Sequence, residues 1–205
     1  MVSLVSVASK AMGMEQYIKD NPQLSEKDPT LTGMRFSQGD IVNTVITCAN
    51  GETIHLKLDT TLPRTYSREF TVRGTKGSYY MDTNSFFLDG MKEFWDPVQG
   101  LKATLDNAKE YEAEFLPDAW KNMSENAMKY GHGGMDAIMF RDFIECLKAG
   151  KEMPIDVYDA AAWMCITVLS EQSIAMGGAP QVIPDFTNGE WLLRPAKDVL
   201  CPEKQ

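Results

Sequence analysis

Asp40-Ile41-Val42-Asn43-Thr44-Val45-Ile46-Thr47-Cys48, then Ala49-Asn50-Gly51-Glu52, then Thr53-Ile54-His55-Leu56-Lys57-Leu58-Asp59 is the stretch that decides the fold class. Its first part is rich in Ile, Val and Thr, the residues that suit a pleated surface. Asn50-Gly51 tolerates the positive φ angles of a tight hairpin turn. In the last part Ile54, Leu56 and Leu58 alternate with His55, Lys57 and Asp59. A period of two predicts an antiparallel hairpin with one buried face and one polar face. The polar face, with His55 and Lys57, is either solvated or lines a site or partner contact.

Outward from the hairpin, strand character resumes. Arg64–Arg73 reads as a further strand with Phe70 and Val72 on one side. Gly74-Thr75-Lys76-Gly77 reads as a turn, and Ser78–Met81 and Phe86–Leu88 as strands. Together these suggest a meander-like, mostly antiparallel sheet with one covered face. The start, Val2–Ala8, is a short apolar strand or helix piece. From Asp89 to Gly131 the periodicity weakens. This stretch is acidic, carries Pro97 and Pro117, and is dotted with Phe94, Trp95, Tyr111, Phe115 and Trp120. Such a segment is functional or packs as an excursion over the surface, with a short helix over Leu101–Tyr111.

Two helices follow. Met135–Ala149 places Phe140, Phe143, Ile144 and Leu147 on one face, with Gly150 to end it. Val157–Met176 is capped by Asp156, with Asp159 at the positive end of its dipole. Its apolar middle, Ala160–Ile166, predicts burial on most sides, with Trp163 in the core. Gly177-Gly178 stops it, and Val182-Ile183-Pro184 is a short extended edge. Strands first and helices later is the α+β order: an open-faced, mostly antiparallel sheet with helices on one face, in a single domain over residues 1–205.

The chain's 205 residues carry a formal net charge of -9. Its lysines and arginines are scattered, so a nucleic-acid partner is not expected. No apolar run approaches the roughly 20 residues that span a bilayer, so no membrane partner is expected either. The beginning of the chain does not read as a signal peptide. Cys48, Cys146, Cys165 and Cys201 lack the spacing of a structural metal site and read as free thiols. No metal site is predicted.

Two clusters carry polar chemistry. His132-Gly133-Gly134-Met135-Asp136 lies just before a predicted helix, where free amides favour a polar or anionic ligand and histidine can exchange a proton. The bland alternative is that His132 only caps the helix. Pro63-Arg64-Thr65-Tyr66-Ser67-Arg68 offers a stackable phenol and a forked donor suited to sugar hydroxyls, or else an ordinary solvated strand end. Glu171 and Ser173 could point to a cavity. No glycine-rich dinucleotide fingerprint follows a strand, so tight NAD binding is not expected of this chain.

These runs converge on a family. Asp156–Trp163, Leu169–Ala175, Gly177-Gly178, Ile183–Phe186 and Gly131–Asp136 before Phe140–Phe143 resemble the C-terminal end of the Gfo/Idh/MocA oxidoreductases. Thr60–Ser67 and Val72–Gly77 are similar to the branch containing the glycoside hydrolase family 109 α-N-acetylgalactosaminidases, and the similarity runs from about Leu4 to Leu193. The resemblance implies a parent enzyme that uses NAD. A sugar carbon is oxidised transiently, the glycosidic oxygen is eliminated, water adds and the hydride returns. It implies Tyr66 as a catalytic and substrate-site residue, Arg64 beside it, and His132 and Asp136 near the substrate cleft. It also implies a homo-oligomer through the open sheet face. The family's N-terminal Rossmann domain and its Tyr-Pro-Thr-His segment have no counterpart here, so the isolated chain is expected to be inactive. Two alternatives stay open: the second domain of a sugar or inositol dehydrogenase, and a non-catalytic carbohydrate-binding or assembly module. The compartment, cytoplasm or periplasm, is not set by the sequence.

Overall fold

The computed structural model describes residues 1–123, 129 and 131–195. In chain order the elements are β1 (Ser3–Ala8), α1 (Gly13–Asp20), α2 (Pro22–Lys27), β2 (Ile41–Thr47), β3 (Thr53–Asp59), β4 (Thr71–Gly74), β5 (Gly77–Tyr80), β6 (Ser85–Leu88), α3 (Pro97–Thr104), α4 (Lys109–Phe115), α5 (Asp118–Lys121), α6 (Met135–Ala149), α7 (Val157–Ala175) and β7 (Gln181–Val182). The fold is α+β with antiparallel sheets, as the strand-then-helix order predicts. The strands form two sheets rather than one meander: β3-β2-β1-β7 and β4-β5-β6. The expected single domain is built of two units. One comprises Met1–Pro63 with the described residues from Gly150 on; the other is Arg64–Ala149.

In the first unit β2 and β3 form the expected antiparallel hairpin, with Val45 opposite His55 and Ile46 opposite Ile54. The apolar start of the chain supplies β1, an inner strand between β2 and β7. Helix α7 packs on β1 and β7, setting Cys165, Ile166 and Leu169 against a core of Leu4, Ile46 and Ile183. Asp156 accepts the N–H groups of Tyr158 and Asp159, while Asp159 accepts that of Asp156, closing a capping box. Gly177 and Gly178, at φ +73° and +89°, end the helix in a conformation that a Cβ disfavours.

Two expectations fail here, and the apolar stripe of α6 shows the same reason. Helix α7 is not buried on most sides: Trp163 is 52% exposed, and Met164 and Val168 are exposed too. On β3, Ile54, Leu56 and Leu58 stay largely exposed, because β3 is an edge strand and the helix lies over β1 and β7. The stripe Phe140, Phe143, Ile144 and Leu147 of α6 is exposed, and the opposite positions Ile138, Asp142 and Cys146 are buried. Apolar spacing specifies an amphipathic face but not whether this chain covers it.

In the second unit the strand read over Arg64–Arg73 shortens to Thr71–Gly74. The Ser67 hydroxyl donates to Asp82 at 2.6 Å and accepts the Glu69 N–H at 2.7 Å, and Glu69 has φ +48°. These local side-chain bonds replace a strand ladder. The helix expected over Leu101–Tyr111 is two, α3 and α4, broken where Asp106 takes φ +62°. A chain of rings, Phe70–Tyr79–Phe86–Tyr111–Phe115, runs through the unit with centroids 5.0–6.4 Å apart. The Asn107 side chain bonds both the N–H and the C=O of Phe86, serving the edge of β6 as a strand would. Cys48, Cys146 and Cys165 are not joined in disulfides; Cys201 lies outside the described residues. Among the described residues no helix is long and apolar enough to cross a membrane.

Arg194 ties the end of the first unit to the α7 cap. Its two terminal nitrogens reach both Asp159 oxygens at 3.1 and 3.0 Å, and one also reaches Asp156 at 3.0 Å. Burial pushes the Asp159 carboxyl up, but the Asp156 N–H and the Arg194 guanidinium outweigh it and hold it below the usual carboxylate range. A depressed carboxyl stabilises the fold fully above its unfolded value, about 4, and loses that contribution as pH falls through the folded value. Asp159→Asn is therefore expected to melt below the parent chain at neutral pH, and the gap is expected to close as pH drops from about 5 towards 3. Melting curves at stepped pH would check this; a gap independent of pH would contradict it.

Candidate functional site

All four residues singled out in the sequence lie in the second unit. His132 and Asp136 are brought together. Residues His132–Gly134 form a 3-10 turn that leads directly into α6. His132, Gly133 and Gly134 all take positive φ, at +52°, +69° and +96°. That tight path folds the imidazole back over the first turn of α6, where Nδ1 lies 3.2 and 3.3 Å from the two Asp136 oxygens. A carboxylate only accepts, so the Nδ1 position carries the proton. In that tautomer Nε2 is the ring nitrogen that can accept a proton. Both side chains are substantially exposed.

Gly131 makes this pairing fit. A Cβ at that position would fall 1.9 Å from an Asp136 carboxylate oxygen and 2.8 Å from its carboxyl carbon. Only a residue without a side chain leaves the carboxylate where His132 meets it.

Arg64 and Tyr66 belong to the segment before β4. Tyr66 is 81% exposed. Its phenolic oxygen accepts a bond from Arg68 Nε at 3.1 Å, which leaves the phenolic proton to donate. Arg64 folds back towards the carbonyls of Thr65 and Ser67, at 3.5 and 3.4 Å. Arg68, from the same sequence cluster, is the residue bonded to Tyr66, a pairing that the strand pattern does not signal. Ser67, through Asp82, fixes the segment to the turn after β5. His55 lies instead on the exposed β3 of the first unit, and Ser173 is a fully buried structural group there.

Among the described residues no group of three or more His, Cys, Asp or Glu side chains could hold a metal ion. All described strand pairs are antiparallel. A dinucleotide cradle needs a parallel βαβ unit with its glycine-rich turn, so these residues do not fit NAD by themselves.

Comparison with known proteins defines the class first: an α+β domain of glycoside hydrolases. Residues 1–193 match the family described as glycosyl hydrolase 109, C-terminal domain, and the chain belongs to that family. It is 39% identical over 195 residues to the alpha-N-acetylgalactosaminidase of Tannerella forsythia, covering 94% of this chain and 39% of that protein. It is 43% identical over 188 residues to a glycosyl hydrolase family 109 protein of Stenotrophomonas maltophilia, covering 91% of this chain and 39% of that one. A protein of the same description from Parabacteroides distasonis is 38% identical over 193 residues. The chain thus spans about 39% of the length of these curated relatives.

The packing at Gly131 gives a direct test. Gly131→Ala is expected to push the Asp136 carboxylate away from the imidazole. The ring nitrogen resonances of His132 should then move as they do in Asp136→Ala. Unchanged resonances in Gly131→Ala would show that the glycine does not set the pair.

Proposed function

We propose that this chain is the substrate side of an NAD-dependent glycosidase acting on α-N-acetylgalactosaminides, with the nucleotide held by sequence outside it. The observation that carries the proposal is the carboxylate-anchored His132 in the same unit as the exposed Tyr66 and Arg64, within a chain of the family 109 type. The Tannerella forsythia relative bears the name of this activity. Bound NAD would supply transient oxidation of the sugar, permitting elimination, hydration and return of the hydride. This chain's residues do the rest. Tyr66 donates its phenolic proton to a sugar oxygen, Arg64 offers forked donors to hydroxyls, and His132 Nε2 takes or returns a proton while Asp136 holds the ring. In this reading the nucleotide site lies outside the chain, so the isolated chain is inactive.

The test is hydrolysis of an aryl α-N-acetylgalactosaminide with added NAD, by this chain and by a longer protein that joins it to a nucleotide-binding domain. The longer protein should turn over and the chain should not. In the longer protein, Tyr66→Phe and His132→Ala should each lower kcat by about 100-fold or more. Turnover by the chain itself, or full activity in both variants, would sink the proposal. Net reduction of NAD with a free sugar or inositol, without hydrolysis, would hand the parent to the dehydrogenase reading.

The open sheet face supports self-association in the same proposal. Opposite α7, the first sheet carries Val5, Val45 and His55 in one cross-strand row and Val7, Asn43 and Lys57 in the next. Val5, Val7 and Val45 are exposed there. A mixed apolar and polar surface of this kind suits a symmetric contact between copies. Light scattering is expected to give an oligomer for the parent chain and a lower mass for Val7→Asp with Val45→Asp. The same mass in both would remove this face from the assembly.

A further inference from the structure

The second unit holds a recess that includes none of the four residues above. It has about 500 Å³ of room. Tyr80 and Phe87 line it from β5 and β6, Glu93 and Trp95 from the connection that follows, and Leu101 and Thr104 from α3. The backbone at its mouth is anchored. Asp96 accepts the N–H groups of Val98 and Gln99 at 2.8 and 2.9 Å, and Pro97 opens α3 immediately afterwards. Trp95 is therefore held directly before a capped helix, yet its side chain is fully exposed. A large aromatic face on a fixed backbone, with no described residue covering it, is a surface suited to stacking.

The chemistry of the lining selects among ligands. It combines aromatic faces with a carboxylate, a phenol and a hydroxyl, and no lining residue is basic. Two cations nearby sit on ring faces: Lys92 lies 5.0 Å from the centre of Phe94 and Arg73 lies 5.9 Å from that of Tyr80. An anionic ligand would face the Glu93 charge without a cation in the lining. A purely apolar one would desolvate that carboxylate without a partner. A neutral pyranose meets both demands. Its C–H face stacks on indole, and its hydroxyls donate to the carboxylate and exchange bonds with Tyr80 and Thr104.

We infer that this recess is a saccharide subsite, with Trp95 as the stacking platform and Glu93 as the acceptor of sugar hydroxyls. It rests on the proposed function only for the choice of sugar. A site apart from Tyr66 and His132 would hold a second ring of a longer glycan, or the sugar of a glycoconjugate beyond the bond to be cleaved.

The experiment is a chemical-shift titration of the 15N-labelled chain with methyl α-N-acetylgalactosaminide, and separately with methyl α-galactoside and methyl α-glucoside. At least one is expected to give saturable shifts that include the Trp95 indole N–H. Trp95→Ala should weaken that binding about tenfold or more, Trp95→Phe should retain part of it, and Glu93→Gln should weaken it several-fold. Because Trp95 is exposed, its replacement should leave the melting temperature in place, which separates lost binding from lost folding. No saturable shift with any of the three glycosides up to about 100 mM, or equal affinity in Trp95→Ala, would overturn the inference. Hydrolysis by the longer protein is an independent readout. Binding at Trp95 without hydrolysis keeps the subsite and removes the activity; hydrolysis with an unresponsive Trp95 removes the subsite alone.

Discussion

The first unit depends on one buried hydroxyl. Strand β7 pairs with Ser3 and Leu4 of β1, so from Ser6 onward that side of an inner strand has no neighbouring strand among the described residues. Ser173, reaching down from α7, fills the gap. Its oxygen accepts the Ser6 N–H at 2.9 Å, and its own proton goes to the Ala179 carbonyl at 2.8 Å. The Ser6 hydroxyl in turn lies 2.7 Å from that of Thr44 on β2. An orphaned buried N–H costs about 1–3 kcal/mol, so these bonds matter more than their number suggests. They also set the rotation of the helix. Cys165, Ile166 and Leu169 precede Ser173 at helical spacing, so fixing Ser173 on β1 turns those three onto Leu4, Ile46 and Ile183. The small apolar core and the polar bolt thus specify the same docking.

Local chemistry made parts of this legible in advance. The hairpin was readable because alternation over β3 and Asn50-Gly51 make the same statement at two levels. The start of α7 was readable because a capping box is local in sequence. The helices α1 and α2 gave no comparable signal. Asp40, which accepts the N–H groups of Met12 and Gly13 at 2.9 and 2.8 Å, anchors the start of α1 from far along the chain. Backbone bonds from Met12 act first among the influences that hold the Asp40 carboxyl below its usual range, with burial opposing them and Gly13 and Thr61 assisting. A reading that moves along the chain cannot see a cap supplied from a distant residue.

The candidate site divides in the same way. His132 and Asp136 are close in sequence, and the left-handed run His132–Gly134, which favours glycine, turns the ring onto the carboxylate at the start of the helix. Tyr66 was legible as a residue but not in its partner, because a predicted strand would have sent Arg68 to the same face without implying a bond. The bond exists because Ser67 diverts the backbone out of the extended ladder. The aromatic recess had only a compositional trace, the density of rings after Asp89. Its walls come from β5, β6 and α3 together, and only the chain reversal at Asn84, in the left-handed region at φ +44°, brings β6 back along β5.

Exposure is where sequence patterning misled most, and the reason is physical. A stripe such as Phe140, Phe143, Ile144 and Leu147 states that a helix has an apolar side. Whether that side lies inward depends on which other elements are near enough to cover it. In α6 the buried positions are Ile138, Asp142 and Cys146, spaced by four, so the inward face is the one that carries an acid and a thiol. The acid is tolerated because Arg141 reaches its carboxylate at 3.2 Å. Hydrophobic periodicity therefore ranked the two faces of α6 in the wrong order, since it weighs residue type and ignores the ion pair that lets a charged residue turn inward.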